Sequence, residues 1–162
     1  MRSIFVKPRW NWLATGLAGG AAGTTALNAA TYLDMAARGR PSSNTPEQTI
    51  EKLAHKTGLA IPGQGDTRQN RLAGLGPLSG VATGLGVGVR VALARRLGLT
   101  LNPIITGVAA GAAAMAATDT SMAALGVSNP RSWSVTAWLS DAFPHLAYGV
   151  VTAAVVSHLD RR

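Results

Sequence analysis

Residues 104–148 read IITGVAAGAAAMAATDTSMAALGVSNPRSWSVTAWLSDAFPHLAY, and this stretch decides the fold. An Ala- and Gly-rich apolar run carries one acid, Asp119. A turn around Asn129-Pro130-Arg131 follows, and then a second apolar run broken only by Asp141, Pro144 and His145. A helix in water would show charge at the helical period along one face. Here the ionisable groups stand alone among small apolar residues. Inside a bilayer each charged group of this kind costs roughly 3 kcal/mol, so it is kept for a reason.

The same charge segregation extends over the rest of the chain. Trp10–Leu33, Leu72–Val89 and Leu97–Thr118 contain no charged residue, and Ser132–Leu159 contains only Asp141 beside His145 and His158. Each segment approaches or exceeds the ~20 residues that cross a hydrocarbon core of ~30 Å. The expected fold is all-α, a single membrane domain over residues 1–162. Four transmembrane helices fall at about 12–37, 72–94, 104–125 and 134–158. The polar segment 38–71 forms a short amphipathic interfacial helix between the first two. Gly and Ala, rather than Leu and Ile, fill these helices, as suits helices packed against helices.

Helix packing is legible as stripes. Gly16, Gly20, Thr24 and Asn28 recur every four residues in the first helix, and Gly76, Gly80, Gly84 and Gly88 do so in the second. Small residues at this spacing form a glycine zipper that lets backbones approach closely. Pro77 is expected to kink or start the second helix. Asp34 and Arg38 make an i,i+4 ion pair at the end of the first. In the polar segment Thr45-Pro46-Glu47-Gln48 reads as a capping hydroxyl with proline at the first helical position, and Gly58 as the stop. Trp10 and Trp12 mark one headgroup level, Trp133 and Trp138 the other.

An internal repeat is readable. Thr15–Ala22 aligns with Thr106–Ala113, and the same offset places Asn28 on Asp119. Pro77 and Pro144 then take similar places in the second and fourth helices. Two helical hairpins related by an axis along the membrane normal would put both termini on one side. Lys and Arg divide almost evenly between the sides, and the cytoplasm is the expected side of the termini.

With that topology Asn28, Asp119, Asp141 and His145 fall at compatible depths, and Asp141 and His145 share a helix face. Two readings stay open for this intramembrane polar constellation. One is a proton- or cation-linked site, in which the acids exchange a proton with the imidazole. The other is an interhelical hydrogen-bond cluster that holds the helices in register, with Asp119 capped by Thr118 and Thr120.

Catalysis is not expected. Three histidines show no metal-ligand pattern, no nucleophile–base pair is recognisable, and Gly63 and Gly65 lack the lysine and strand of a phosphate loop. No cofactor and no metal are predicted, and without cysteine neither disulfides nor thiolate ligands are available. The formal charge of +8 lies almost wholly outside the apolar runs. It fits topology and contact with anionic membrane lipids, and no nucleic-acid module accompanies it.

ALNAATYLDMAARGRPSSNTPEQTIEKLA and AATDTSMAALGVSNPRSWSVTAWLSDAFPHLAYG resemble small polytopic membrane proteins of high-GC Gram-positive bacteria. More distantly the pattern resembles the YagU-like inner-membrane family. The resemblance implies a bacterial plasma-membrane location and assigns no catalytic residue. The expected function is that of an accessory or interaction subunit, in a homo-oligomer or a larger membrane-protein complex. The alternative is a small oligomeric proton- or cation-coupled carrier or channel using Asp119, Asp141 and His145.

Overall fold

Two asparagines start the leading helix of each hairpin. The Asn11 side chain accepts from the Leu13 amide at 3.1 Å, and that of Asn102 accepts from the Ile104 amide at 2.8 Å. Each satisfies one of the amides that a helix start leaves without a partner. The computed structural model describes residues 11–160 and contains five α-helices: α1 (Trp12–Arg38), α2 (Thr45–Thr57), α3 (Gly65–Arg96), α4 (Pro103–Ala124) and α5 (Val135–Asp160). A 3-10 turn at Pro130–Ser132 precedes α5, and the described residues contain no strand. Trp10 and the basic residues Arg2, Lys7, Arg9, Arg161 and Arg162 lie outside the described residues.

The chain is therefore all-helical, as expected, but only α3 and α5 are long and apolar enough to cross a membrane by composition. α1 and α4 have the length, at 27 and 22 residues. Neither contains a continuous stretch that is apolar enough by the same measure, so the expectation of four spans is met on these terms by two helices.

Two local expectations are corrected. α3 begins at Gly65, well before residue 72, and takes in the polar run Asp66–Arg71; of the two places expected for Pro77, it takes the one inside the helix. Tertiary contact supports this extension, because α2 folds back on it and Glu51 meets Arg68 at 2.8 Å. α2 itself begins one residue early. Thr45 is its first residue, Asn44 holds the cap position, and the Ser43 hydroxyl accepts from the Thr45 amide at 3.1 Å. At the other end Gly58 terminates α2 in the left-handed conformation, as expected.

The hairpins α1–α3 and α4–α5 are each antiparallel, and α1 also packs along α5. α4 meets α3 more lightly, which leaves α4 on the flank of the bundle. Each hairpin closes on a three-glycine knot. In the first, Gly88 nests between Gly16 and Gly20; in the second, Gly149 nests between Gly107 and Gly111. A methyl group on Gly20 would lie 2.6 Å from the Gly84 carbonyl oxygen, and one on Gly111 would lie 2.5 Å from that of His145. The first-helix alignment of the repeat is thus matched contact for contact. The second-helix alignment is not: the contacts pair Gly88 with Gly149 and Gly84 with His145, so Pro77 and Pro144 are not equivalent.

The second glycine stripe divides by neighbour. Gly84 and Gly88 lie against α1, while Gly76 packs under Pro46 and Glu47 of α2. Gly80 faces open space. Two further glycines of α1, Gly19 and Gly23, receive Val156, Thr152 and Tyr148 of α5.

The interior is mostly small and partly polar, with Leu72, Val87, Tyr148 and Val156 as its larger members, while most large apolar residues lie outside. Buried positions include Thr15, Asp119, His145, Thr152 and Ser157, beside Ala30, Ala92, Ala110, Ala114 and Ala153. Leu17, Leu78, Ile104, Val108, Phe143 and Val150 point outward, on all four long helices. Tyr148 is the largest fully buried side chain and fills the bundle axis beside Val87, Ala110 and Ala114.

Candidate functional site

Asp141 and His145 come one turn apart on α5, on the face turned towards α4. The imidazole Nδ1 lies 2.8 Å from the Asp141 carbonyl oxygen and 3.4 Å from its carboxylate Oδ1. A carbonyl oxygen only accepts, so Nδ1 carries the hydrogen and Nε2 is the nitrogen left for other partners. Pro144, inside the same turn, brings no amide hydrogen to the Ser140 carbonyl. Both Pro144 and His145 are buried.

Asp119 reaches the same place from α4. It is 8% exposed, and the charged groups whose field reaches it are Asp141 and His145. Among the described residues, Asp119 Oδ1 and Asp141 Oδ2 are both buried without a hydrogen-bond partner. The expected caps are absent from this arrangement. Thr118 bonds the carbonyls of Ala114 and Met115, and Thr120 bonds that of Ala116 at 2.5 Å, so both hydroxyls serve their own helix. Back-bonding to the preceding turn is the usual fate of such residues within helices.

The structure brings together three of the four predicted residues. Asn28 is exposed on α1, away from the cluster. By the alignment of the two hairpins, Asn28 and Gly80 stand where Asp119 and Asp141 stand in the second. The polar cluster therefore belongs to one hairpin only.

Tyr148 closes the site from one end. One turn beyond His145, its hydroxyl donates to the Gly84 carbonyl at 2.6 Å, tying α5 to α3 across the axis. The cluster thus sits between this tyrosine and the α2 end of the bundle. Among the described residues no group of three or more His, Asp or Glu converges as a metal site.

A second polar group lies at the α2 end, beyond the charge-free part of α1. Arg38 grips Asp34 through Nε at 2.7 Å and Nη2 at 2.8 Å, and Arg40 adds its Nε at 2.6 Å. The two guanidinium groups hold the Asp34 carboxyl below its ordinary range. Arg38 also donates to Ser140 at 2.6 Å, linking the end of α1 to the start of α5. The i,i+4 spacing gave the first partner. Arg40 returns only because Gly39 ends α1 with φ of +62°, a reversal for which the glycine was the available signal.

At the opposite end Arg96 lies over the Trp12 ring at 5.7 Å, and Arg95 pairs with Asp160 at 3.2 Å. Trp133 and Trp138 meet edge to face at 5.1 Å at the α2 end. No protein family, curated protein or solved structure matches the chain.

Proposed function

We propose that this chain is a non-catalytic integral protein of the bacterial plasma membrane, with all four long helices spanning and both termini in the cytoplasm. It serves as an accessory or interaction subunit within a homo-oligomer or a larger membrane complex. The observation that carries this reading is the distribution of side chains. Most large apolar residues face outward on α1, α3, α4 and α5, while the interior holds chiefly Gly, Ala, Thr, Asp and His around Leu72, Val87, Tyr148 and Val156. In water the apolar surface would be driven inward, at about 25 cal/mol for each Å² removed from solvent. In lipid that drive is absent, and close packing of small residues holds helices together instead.

The glycine knots give this reading to α1 and α4 as well. Each is locked at backbone distance to a helix that is long and apolar enough to span, so the members of a hairpin share one environment. An accessory role is favoured over conduction by the packing of the axis. Tyr148 plugs it, and among the described residues no buried acid or histidine lies past that ring, where the buried polar groups are the hydroxyls of Thr15, Thr152 and Ser157.

The test is the mass of the complex extracted in mild detergent from native membranes, measured by light scattering with the detergent subtracted. A discrete assembly larger than one 16.6 kDa chain is expected. A monodisperse single chain in both mild detergent and native-lipid particles would refute the subunit role.

A further inference from the structure

We propose that Asn28 is the contact point between two copies of this chain, which meet α1 to α1 about a two-fold axis along the membrane normal. This surface deepens the subunit role proposed above, and it rests on that role and on the membrane reading. Asn28 stands sixteen residues beyond Trp12 and six before Asp34, about 24 Å and 9 Å along α1. It therefore falls within the charge-free length of the helix. It is exposed, and its carboxamide makes no hydrogen bond among the described residues.

Outward hydroxyls on these helices are not in that condition. Thr25 donates to the Ala21 carbonyl at 3.0 Å and Ser121 to that of Ala117 at 2.7 Å, so each serves its own helix. Nor can Asn28 withdraw to the headgroups as a long side chain does. Its side chain is short, and the Cα–Cβ bond of a helical residue leans towards the helix N-terminus. In α1 that direction leads away from the nearer polar end, where Arg38 and Arg40 hold Asp34. A carboxamide left in hydrocarbon with its donors and acceptor unmet is costly, and a neighbouring protein helix can meet them.

Two properties of Asn28 make the neighbour a second copy. A carboxamide both donates and accepts, so two of them facing each other across a two-fold axis satisfy one another. Copies inserted with the same topology also bring Asn28 to Asn28 at one depth, as a two-fold contact requires. The surrounding face permits the approach. Leu17, Ala21, Thr25, Asn28 and Tyr32 share one exposed side of α1. Ala21 and Thr25 are small enough for a second helix to come within reach of so short a side chain, and Leu17 and Tyr32 bracket them. The glycines of α1 lie elsewhere: Gly16 and Gly20 are covered by α3, and Gly19 and Gly23 by α5.

The test uses the full chain, which has no cysteine of its own. Single cysteines are placed by Ala21→Cys and Thr25→Cys beside Asn28, and by Val108→Cys and Val150→Cys as exposed controls on α4 and α5. Each chain is oxidised in its native membrane, and the covalent dimer is read on a non-reducing gel. The α1 positions are expected to cross-link several-fold more than the controls. In detergent, energy transfer between labelled chains gives the dimer dissociation constant, which should rise about tenfold in Asn28→Ala. Asn28 makes no hydrogen bond within its own chain, so the Asn28→Ala chain is expected to fold with an unchanged helical signal. Equal yields at the α1 and control positions, or an unchanged dissociation constant in Asn28→Ala, would overturn this interface. An assembly larger than one chain would then leave the subunit role standing, whereas a single chain in both mild detergent and native-lipid particles would end both.

Discussion

The Tyr148 hydroxyl donates to the Gly84 carbonyl at 2.6 Å, and this bond joins the two hairpins at the centre of the bundle. Gly84 can accept it because it has no side chain: the tyrosine ring lies where a larger residue would stand, 3.3 Å from the position of a Gly84 Cβ. Tyr148→Phe keeps the ring and removes the donor. The expected loss is about 1 kcal/mol, as for a typical buried hydrogen bond, measured by thermal or denaturant unfolding in detergent. An unchanged stability would mean that the ring alone carries the contact.

The glycine stripe of α3 is predicted to respond unevenly. An alanine at Gly88 would collide with the backbones of Gly16 and Gly20, and an alanine at Gly149 with those of Gly107 and Gly111. Neither helix can yield without opening its hairpin, so each change should cost roughly 1–3 kcal/mol or more. Gly80 has nothing within 4 Å of an added Cβ. Gly80→Ala should be neutral or stabilising, since alanine is the better helix former by about 1 kcal/mol. Equal losses at Gly80 and Gly88 would contradict the packing described.

The Asp34 cluster makes a prediction for pH. Arg38 and Arg40 lower the Asp34 pKa in the folded chain below its ordinary 3.8. A depressed carboxyl contributes stability above its unfolded pKa and loses that contribution as pH falls through the folded value. The unfolding temperatures of wild type and Asp34→Asn should therefore differ at neutral pH and converge in acid, once the pH has fallen through the folded value. The difference should be small, since the ion pairs lie at the surface of the bundle end and are screened by solvent. A gap that persists unchanged at low pH would count against the ion pair.

Much of this was legible in the residues. Helix ends written by strong local signals, such as Asn102-Pro103 and Gly58, came out within a residue or two. The pair Asp34–Arg38 followed from spacing alone. What spacing cannot give is the partner. A stripe at four-residue intervals shows that something approaches, but Gly76 meets α2, Gly84 meets α1 and Gly80 meets nothing. The same limit applies to Asn28. It shares a stripe with Gly16 and Gly20, yet a straight stripe drifts around the helix, and by Asn28 the face has turned outward. The start of α3 was hidden for another reason. Asp66–Arg71 has no apolar period, and contact with α2 makes it helical.

The central claim is that lipid surrounds this bundle, and single-cysteine labelling tests it most directly, because the chain has no cysteine of its own. Cysteines at Leu17, Leu78, Val108 and Val150 would occupy exposed outer positions, at 40%, 61%, 51% and 48%, on α1, α3, α4 and α5. Cysteines at Ser42 and Thr100 would occupy exposed loops at opposite ends. In intact membranes a charged, water-soluble maleimide should leave the four helix positions unlabelled and react with the two loop positions from opposite sides. Labelling of the outward helix positions as fast as the loops would place these helices in water and contradict the account.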